Sequence, residues 1–253
     1  MKLTFATLVE PGDRDLLFET CADELSLVRF YLRNEPHAFL HIGRLVRFIE
    51  QHGVAQAGKG LSIGLDLIKE LYLARLAGLA LHVVDLDAKA IAGAARIAAA
   101  EGLPSSYEGG DIFKAPAAES LDRGPYATLL LSQMDYCLSD EELFALFVRA
   151  AGNPQMRYVV VLSPSLFHWP GRDVYAGAKE AIRVCFNIVR SLVSKRRAGP
   201  RPTYVSYMRS VGLLRQLACP SWRLGPIERY DYPSGAMHLM LFERSAEPVY
   251  SEY

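Results

Sequence analysis

Apolar positions in the first part of the chain recur with the period of a helix. Leu25, Val28 and Leu32 fall on one helical face. A second stripe consists of Phe39, Ile42, Leu45, Val46 and Ile49. Gly53 stands where this second helix would end. The pattern predicts a helical N-terminal cap over residues 1–58.

From residue 59 onward, short apolar runs alternate with helical stripes. The runs predicted as strands are 61–63, 81–84, 106–108, 128–131 and 158–162. A continuous apolar run such as 128–131 is typical of a parallel strand that is covered on both faces. Strands separated by helices and short loops predict an α/β fold over residues 59–253, with a doubly wound, Rossmann-like and mostly parallel sheet.

Two further segments complete the predicted domain. An irregular stretch at about 166–203 contains Pro200 and Pro202 and is expected to form a lid insertion. Farther along, the runs 222–224 and 237–242 are separated by a Tyr-Pro-Ser-Gly turn signal. This pattern predicts a C-terminal antiparallel hairpin.

Charge and composition narrow the class of protein. Lys and Arg number 28 and Asp and Glu number 28, so the formal net charge is +0. A chain of balanced charge lacks the basic surface that nucleic acid or an anionic membrane would select, so neither is an expected partner. The longest apolar stretches fall well short of the ~20 residues that a helix needs to cross a bilayer.

The cysteines and the first residues of the sequence indicate a cellular compartment. The 4 cysteines are widely spaced, as expected of free thiols in a reducing environment. Glu10, Asp13 and Asp15 follow the first residues, and no signal-peptide pattern is present. We therefore expect a cytoplasmic protein.

The loops after the predicted strands carry the candidate chemistry, because ligands of open α/β sheets bind at the carboxyl ends of the strands. Gly64 follows the first strand, and Asp85 follows the second strand 21 residues later. That spacing is close to the ~20 residues that place a carboxylate on a ribose diol. A carboxylate suits this role because it can accept hydrogen bonds from both hydroxyls. The alternative role for Asp85 is to cap the helix that follows.

These loops and the terminal hairpin resemble the class I S-adenosylmethionine-dependent methyltransferases. The resemblance implies S-adenosylmethionine (SAM) as cofactor, with its methionine part against the loop at Gly64 and its ribose held by Asp85. It implies that Asp111, in a Gly-Gly-Asp segment, contacts the adenine amino group; an ordinary turn is the alternative role of this residue. Ser132 and Gln133 would flank the cofactor.

The resemblance covers roughly residues 60–242 and departs from the family in its first loop. The family usually has G-x-G-x-G there, whereas this chain has Gly64, Asp66 and Ile68 at the three glycine positions. Ser62 stands where the family has an acid. Asp66 would lie beside the cofactor, and its alternative role is to cap the following helix.

Three residues are candidates for accepting a proton from a methyl acceptor. His168 follows the fifth predicted strand, and an imidazole with an ordinary pKa of ~6.5 suits proton removal at neutral pH. Its alternative role is aromatic packing with Phe167 and Trp169. Asp135 and Tyr136, after the fourth predicted strand, are the rival candidates.

The resemblance predicts transfer of a methyl group from SAM to an oxygen or nitrogen of a small-molecule acceptor. The alternative is a catalytically silent binding or scaffold protein that has lost the cofactor, with the apolar N-terminal helices as a homodimer surface. An NAD-dependent oxidoreductase is the weakest hypothesis, because the chain lacks G-x-G-x-x-G. No metal is predicted, because His37 and His41 have no evident third ligand.

Overall fold

The computed structural model describes residues 35–65, 67–100, 102–164, 209–232 and 235–245. The α-helices are α1 Glu35–Gln51, α2 Leu67–Leu76, α3 Ala88–Ala100, α4 Ala117–Arg123, α5 Asp140–Gly152 and α6 Val211–Ala218. The strands are β1 Gly60–Ile63, β2 Leu81–Asp85, β3 Ser106–Gly109, β4 Thr128–Ser132, β5 Tyr158–Pro164, β6 Trp222–Tyr232 and β7 Gly235–Arg244. Short 3-10 helices span Val54–Ala57 and Asp135–Cys137. Asp66, His168, the predicted lid at 166–203 and residues 1–34 of the predicted cap lie outside the described residues.

The strands form a mixed sheet in the order β3-β2-β1-β4-β5-β7-β6. β1 pairs in parallel with both β2 and β4, and β2 pairs in parallel with β3. β6 and β7 pair antiparallel, from Trp222 opposite Arg244 to Tyr232 opposite Gly235. The predicted fold is thereby confirmed: a doubly wound, Rossmann-like, mostly parallel sheet with a C-terminal antiparallel hairpin.

The described residues divide into two compact units. The first contains the residues up to Leu131 together with Arg149–Val160, and the second contains Ser132–Val148 together with the residues from Val161 onward. In the first unit β1 is buried along its whole length. The α1 side chains of the predicted stripe are buried as well, namely Ile42, Leu45, Val46 and Ile49. That stripe is therefore a core face.

The first unit also contains a polar network that ties β3, at the end of the strand order, to β2. Nδ1 of His82 lies 2.8 Å from Oγ of Ser106, and Nε2 lies 3.0 Å from Oε2 of Glu108. The hydroxyl of Ser120 donates to the same carboxylate oxygen over 3.0 Å. The ring of Tyr126 stacks on His82 with 5.3 Å between ring centroids. Because a carboxylate only accepts, a neutral His82 carries its proton on Nε2 and accepts the Ser106 hydroxyl at Nδ1.

In the second unit, aromatic side chains pack the hairpin against α5. The rings of Phe147 and Phe242 lie with their centroids 5.5 Å apart. Nε1 of Trp222 donates a hydrogen bond to the carbonyl of Phe147 over 2.9 Å. The buried indole is therefore satisfied, and the first residue of β6 is held to the helix.

The hairpin is longer than predicted because β6 contains a bulge. The pairing with β7 shifts register between Leu224 and Ile227. Pro226, inside this shift, has no amide hydrogen to donate to a ladder. A Cβ added at Gly225 would lie 3.3 Å from the carbonyl oxygen of Leu241, so the two backbones approach closely there. The bulge accommodates the proline, and β6 continues well beyond the predicted 222–224.

Candidate functional site

Asp85, the last residue of β2, links loops of the first unit. Its Oδ2 accepts a hydrogen bond from the amide of Leu65 over 2.7 Å, and its Oδ1 accepts one from the amide of Asp87 over 2.8 Å. Its backbone carbonyl accepts a third from the amide of Gly110 over 2.8 Å. One residue therefore contacts the segments that follow β1, β2 and β3.

Gly64 shapes the start of the predicted cofactor loop. Its φ is 83°, in the left-handed region where a residue with a Cβ is strained. Its amide donates to the carbonyl of Val84 over 2.9 Å, and the residue is buried. The carboxyl end of β1 therefore carries no side chain at this point, as a close approach of a ligand to the backbone would require.

The N-terminus of α3 is capped by Asp87 and not by Asp85. Oδ1 of Asp87 accepts hydrogen bonds from the amides of Lys89 and Ala90, each over 3.0 Å. This is the usual geometry of an N-cap aspartate. Each carboxylate oxygen of Asp85 accepts one hydrogen bond. A carboxylate offers about four acceptor positions, so Asp85 has acceptor capacity left for a ligand.

Asp111 forms a turn after β3. Its Oδ1 accepts a hydrogen bond from the amide of Phe113 over 3.0 Å, and its Oδ2 lies 2.9 Å from Nζ of Lys114. The Lys114 side chain is 76% exposed, so this ion pair is screened by solvent. These contacts are those of the ordinary turn that the sequence allowed, and the adenine contact stays a prediction.

In the second unit, Ser132 and Gln133 lie at the carboxyl end of β4. Both are half-buried. Gln133 has a φ of 56° and is not glycine, a backbone conformation that costs about 1–3 kcal/mol. Its amide donates to the carbonyl of Leu162 on β5 over 2.8 Å. The predicted cofactor-flanking residues therefore lie in a strained turn that its neighbours hold.

Asp135 is a buried carboxyl group next to this turn. Its side chain is 0% exposed, and its Oδ2 accepts a hydrogen bond from Oγ of Ser163 over 2.6 Å. Its Oδ1 has no hydrogen-bond partner among the described residues. Burial raises the pKa of Asp135 to about 6, although the Ser163 hydroxyl and the Arg209 guanidinium both act in the opposite direction. A carboxyl group that titrates close to neutral pH is suited to proton transfer.

Arg209 binds the loop that contains Asp135. Its Nη1 donates to the backbone carbonyl of Asp135, and its Nη2 donates to the carbonyl of Leu138 over 2.6 Å. Its Nε donates to Oδ1 of Asp140 over 2.7 Å. Neither Arg209 nor Ser163 was predicted from the sequence as a residue of the site. The Arg209 contacts join residues 69 to 74 positions apart, and no local spacing signals such a contact.

Tyr136 and Cys137 follow Asp135 in the same 3-10 helix. Tyr136 is half-buried and stays a candidate. Burial and the neighbouring Asp135 carboxylate raise the pKa of the Cys137 thiol to about 11. This thiol is therefore protonated at neutral pH and is not an activated nucleophile. His168, the remaining candidate for accepting a proton, lies outside the described residues.

In the part of the chain that the structure describes, no three His, Cys, Asp or Glu side chains form a group that could hold a metal ion. None of the helices in this part of the chain is long and apolar enough to cross a membrane.

Comparison with known proteins identifies the fold. No family model matches the chain, and no curated protein matches it. Solved structures do match. Magnesium protoporphyrin IX methyltransferase from Synechocystis with bound SAM is 12% identical, with 96% of this chain and 100% of that chain covered and a TM-score of 0.57. A SAM-dependent methyltransferase from Methanosarcina mazei is 12% identical, with 75% and 93% covered and a TM-score of 0.52.

A third structure was reported for the conversion of a disulfide bond into a thioacetal group during echinomycin biosynthesis. It is 21% identical to this chain, with 79% of this chain and 81% of that chain covered and a TM-score of 0.54. Together these similarities show that the chain has the fold of the class I SAM-dependent methyltransferases.

Proposed function

We propose that this protein binds SAM and transfers its methyl group to an oxygen or a nitrogen of a small-molecule acceptor. The observation that carries the proposal is the carboxylate of Asp85, which ends β2 and bonds to the loop after β1. Because Asp87 caps α3, helix capping does not account for Asp85. A class I methyltransferase fold with a carboxylate at this point supports cofactor binding over a purely structural role.

The residues of the first unit fit the chemistry of SAM. Asp85 has unused acceptor positions for the two ribose hydroxyls. Leu86, the next residue, is 75% exposed and offers an apolar surface to a purine ring. Gly64 leaves the end of β1 free of a side chain. We propose that Asp111 contacts the adenine amino group.

In the second unit we propose that Ser132 and Gln133 flank the cofactor. SAM supplies a methyl group already activated by its sulfonium sulfur, so the protein contributes mainly by positioning the acceptor. The acceptor loses a proton on methylation, and Asp135, Tyr136 and His168 are the residues that we propose for receiving it. The pKa of Asp135, raised to about 6, supports that residue.

We also propose that the methyl acceptor is a small molecule and that the protein is cytoplasmic. The equal numbers of basic and acidic residues, 28 of each, support a small molecule over nucleic acid or a membrane surface. The same composition and the spaced cysteines support a cytoplasmic location. We propose a homodimer through the N-terminal helices, with contacts outside the buried stripe of α1, and light scattering of the purified protein would test it.

Calorimetric titration with SAM and S-adenosylhomocysteine tests the proposed function. We expect the parent protein to bind with a Kd in the micromolar range, about −8 kcal/mol. Asp85→Ala should abolish saturable binding because it removes the ribose acceptor. The matched control is Asp87→Ala, two residues away, which removes a helix cap and should bind like the parent. If the parent protein fails to bind either compound, the methyltransferase proposal is wrong and the silent scaffold replaces it.

A further inference from the structure

We infer that Arg209 is a positioning residue that holds the loop 132–140 in the conformation that the cofactor requires. The inference rests on the proposed function, because Ser132 and Gln133 are the residues of this loop that we propose to flank SAM. Arg209 itself takes no part in the proposed methyl transfer, and its role is to position the loop.

The loop begins in a conformation that requires support from its neighbours. Gln133 has a φ of 56°, and its amide bonds to the carbonyl of Leu162. A residue with a side chain keeps such a backbone only where contacts hold the chain on both sides. β4 provides those contacts before Gln133. Contacts made by residues 135–140 must provide them afterwards.

Arg209 contributes three hydrogen bonds to this second support. Its guanidinium donates to the carbonyls of Asp135 and Leu138 and to the carboxylate of Asp140. The Arg209 side chain is 1% exposed, so its bonds to the two carbonyls are shielded from water, whereas the Asp140 carboxylate is half exposed. The planar, forked guanidinium fixes the directions of all three donors at once, which a lysine ammonium cannot do.

A second contact holds the same loop from β5. The carboxyl group of Asp135 accepts the Ser163 hydroxyl over 2.6 Å, while the backbone carbonyl of Asp135 accepts from Arg209. Asp135 is thus held through its side chain and through its backbone. Asp135 lies two residues after Gln133, so these two bonds restrict the chain just beyond the strained turn. The loss of Arg209 removes one of them and should therefore loosen the turn at Gln133.

The test compares Arg209→Lys with a matched arginine variant, Arg149→Lys. Arg149 makes a similar fork in the first unit, with Nε and Nη2 bonded to the Asp122 carboxylate over 2.8 and 2.7 Å. It also donates to the carbonyl of Ala118 over 3.0 Å. Both variants should lower the Tm. We expect only Arg209→Lys to weaken SAM affinity, by about tenfold or more, because only this variant misplaces the loop. Arg149→Lys should stay within about twofold of the parent.

A milder pair of variants keeps the test decisive if Arg209→Lys fails to fold. Asp140 and Glu141 are exposed acids in the first turn of α5, so both interact with the same helix dipole. Of these two carboxylates, that of Asp140 is the one that accepts a bond from Arg209. Asp140→Ala should therefore weaken SAM affinity, whereas Glu141→Ala should not.

The outcomes separate the inference from the proposed function. If the parent protein does not bind SAM, the proposed function is overturned and the inference falls with it. If the parent binds SAM and Arg209→Lys binds equally well, the inference alone is overturned. Equal losses in the two lysine variants, or in the two alanine variants, would also overturn it, because the effect would then be general destabilisation.

Discussion

The amide of Leu65 donates a hydrogen bond to Oδ2 of Asp85 over 2.7 Å, although the two residues are 20 positions apart in the chain. The loop after β1 is therefore held by a side chain at the end of β2. Where the family has repeated glycines, this chain has a single glycine, Gly64, followed at once by the residue that Asp85 holds. The same carboxylate thus has a structural partner and, in our proposal, a ligand.

Asp85→Ala and Asp87→Ala should differ in how much SAM raises their free energy of unfolding. Loss of the Asp85 hydrogen bonds should lower the free energy of unfolding by about 1–3 kcal/mol, and loss of the Asp87 cap by about 0.5–2 kcal/mol. With SAM at about 100 times its Kd, the parent and Asp87→Ala should each gain about 2.7 kcal/mol. Asp85→Ala should gain far less. Urea unfolding with and without SAM measures these values, and equal gains in both variants would contradict the ribose role of Asp85.

Asp135→Asn should remove a pH dependence of stability. The pKa of Asp135 rises from 3.8 to about 6 on folding, so the folded protein holds this proton more tightly than the unfolded chain does. The contribution of Asp135 to the free energy of unfolding is therefore largest below about pH 4. It falls by a value on the order of 3 kcal/mol as the pH rises through 6. Urea unfolding between pH 4 and 7 should show this decline in the parent relative to Asp135→Asn, and parallel pH profiles would contradict it.

Substitutions of Gln133 should change the free energy of unfolding according to how well each residue tolerates a positive φ. Gln133→Val places a β-branched residue at a φ of 56°, where glutamine is already strained, and should lower the free energy of unfolding by a further ~1 kcal/mol. Gln133→Gly should leave it near the parent value, because relief of strain offsets the greater entropy of glycine in the unfolded chain. Chemical unfolding of both variants tests this. Equal losses would mean that the side chain, not the backbone, determines the effect.

The network around His82 should contribute to stability and leave cofactor binding unaffected. His82→Ala and Glu108→Ala should each lower the free energy of unfolding by about 1–3 kcal/mol, because each leaves partly buried polar partners unsatisfied. A double-mutant cycle should give a coupling energy of about 0.5–3 kcal/mol. SAM affinity should not change, because His82 lies near the amino end of β2 and Asp85 ends the strand. Independent effects of the two substitutions would argue against the observed contact.

The elements that sequence reasoning predicted well are those that local pattern alone determines. The strand at 128–131 was predicted from a continuous apolar run, and β4 spans Thr128–Ser132. β6 was predicted too short, because a glycine and Pro226 resemble the end of a strand. Pairing with β7 across a bulge carries the strand past them. That pairing depends on a partner strand, which a local pattern does not contain.

In the candidate site too, one residue was predicted from a local pattern and others were not. The spacing from Gly64 located Asp85, because a strand, a helix and the next strand have a nearly constant length in this fold. The roles of Asp87 and Arg209 could not be predicted. Which of two neighbouring aspartates caps a helix depends on backbone geometry, and the contacts of Arg209 join residues 69 to 74 positions apart.

The place of β7 in the strand order has a consequence for synthesis of the chain. β7 lies between β5 and β6, yet it is made about 70 residues after β5. At the ~5–20 residues per second of translation, β7 is completed several seconds after β5. During that time the edge of β5 has no partner strand. Its buried core, Val159–Leu162, is apolar and consists of three β-branched valines and a leucine, the composition of a strand that pairs with other chains when exposed. On the ribosome, this uncovered edge is the point at which a nascent chain would need protection from aggregation.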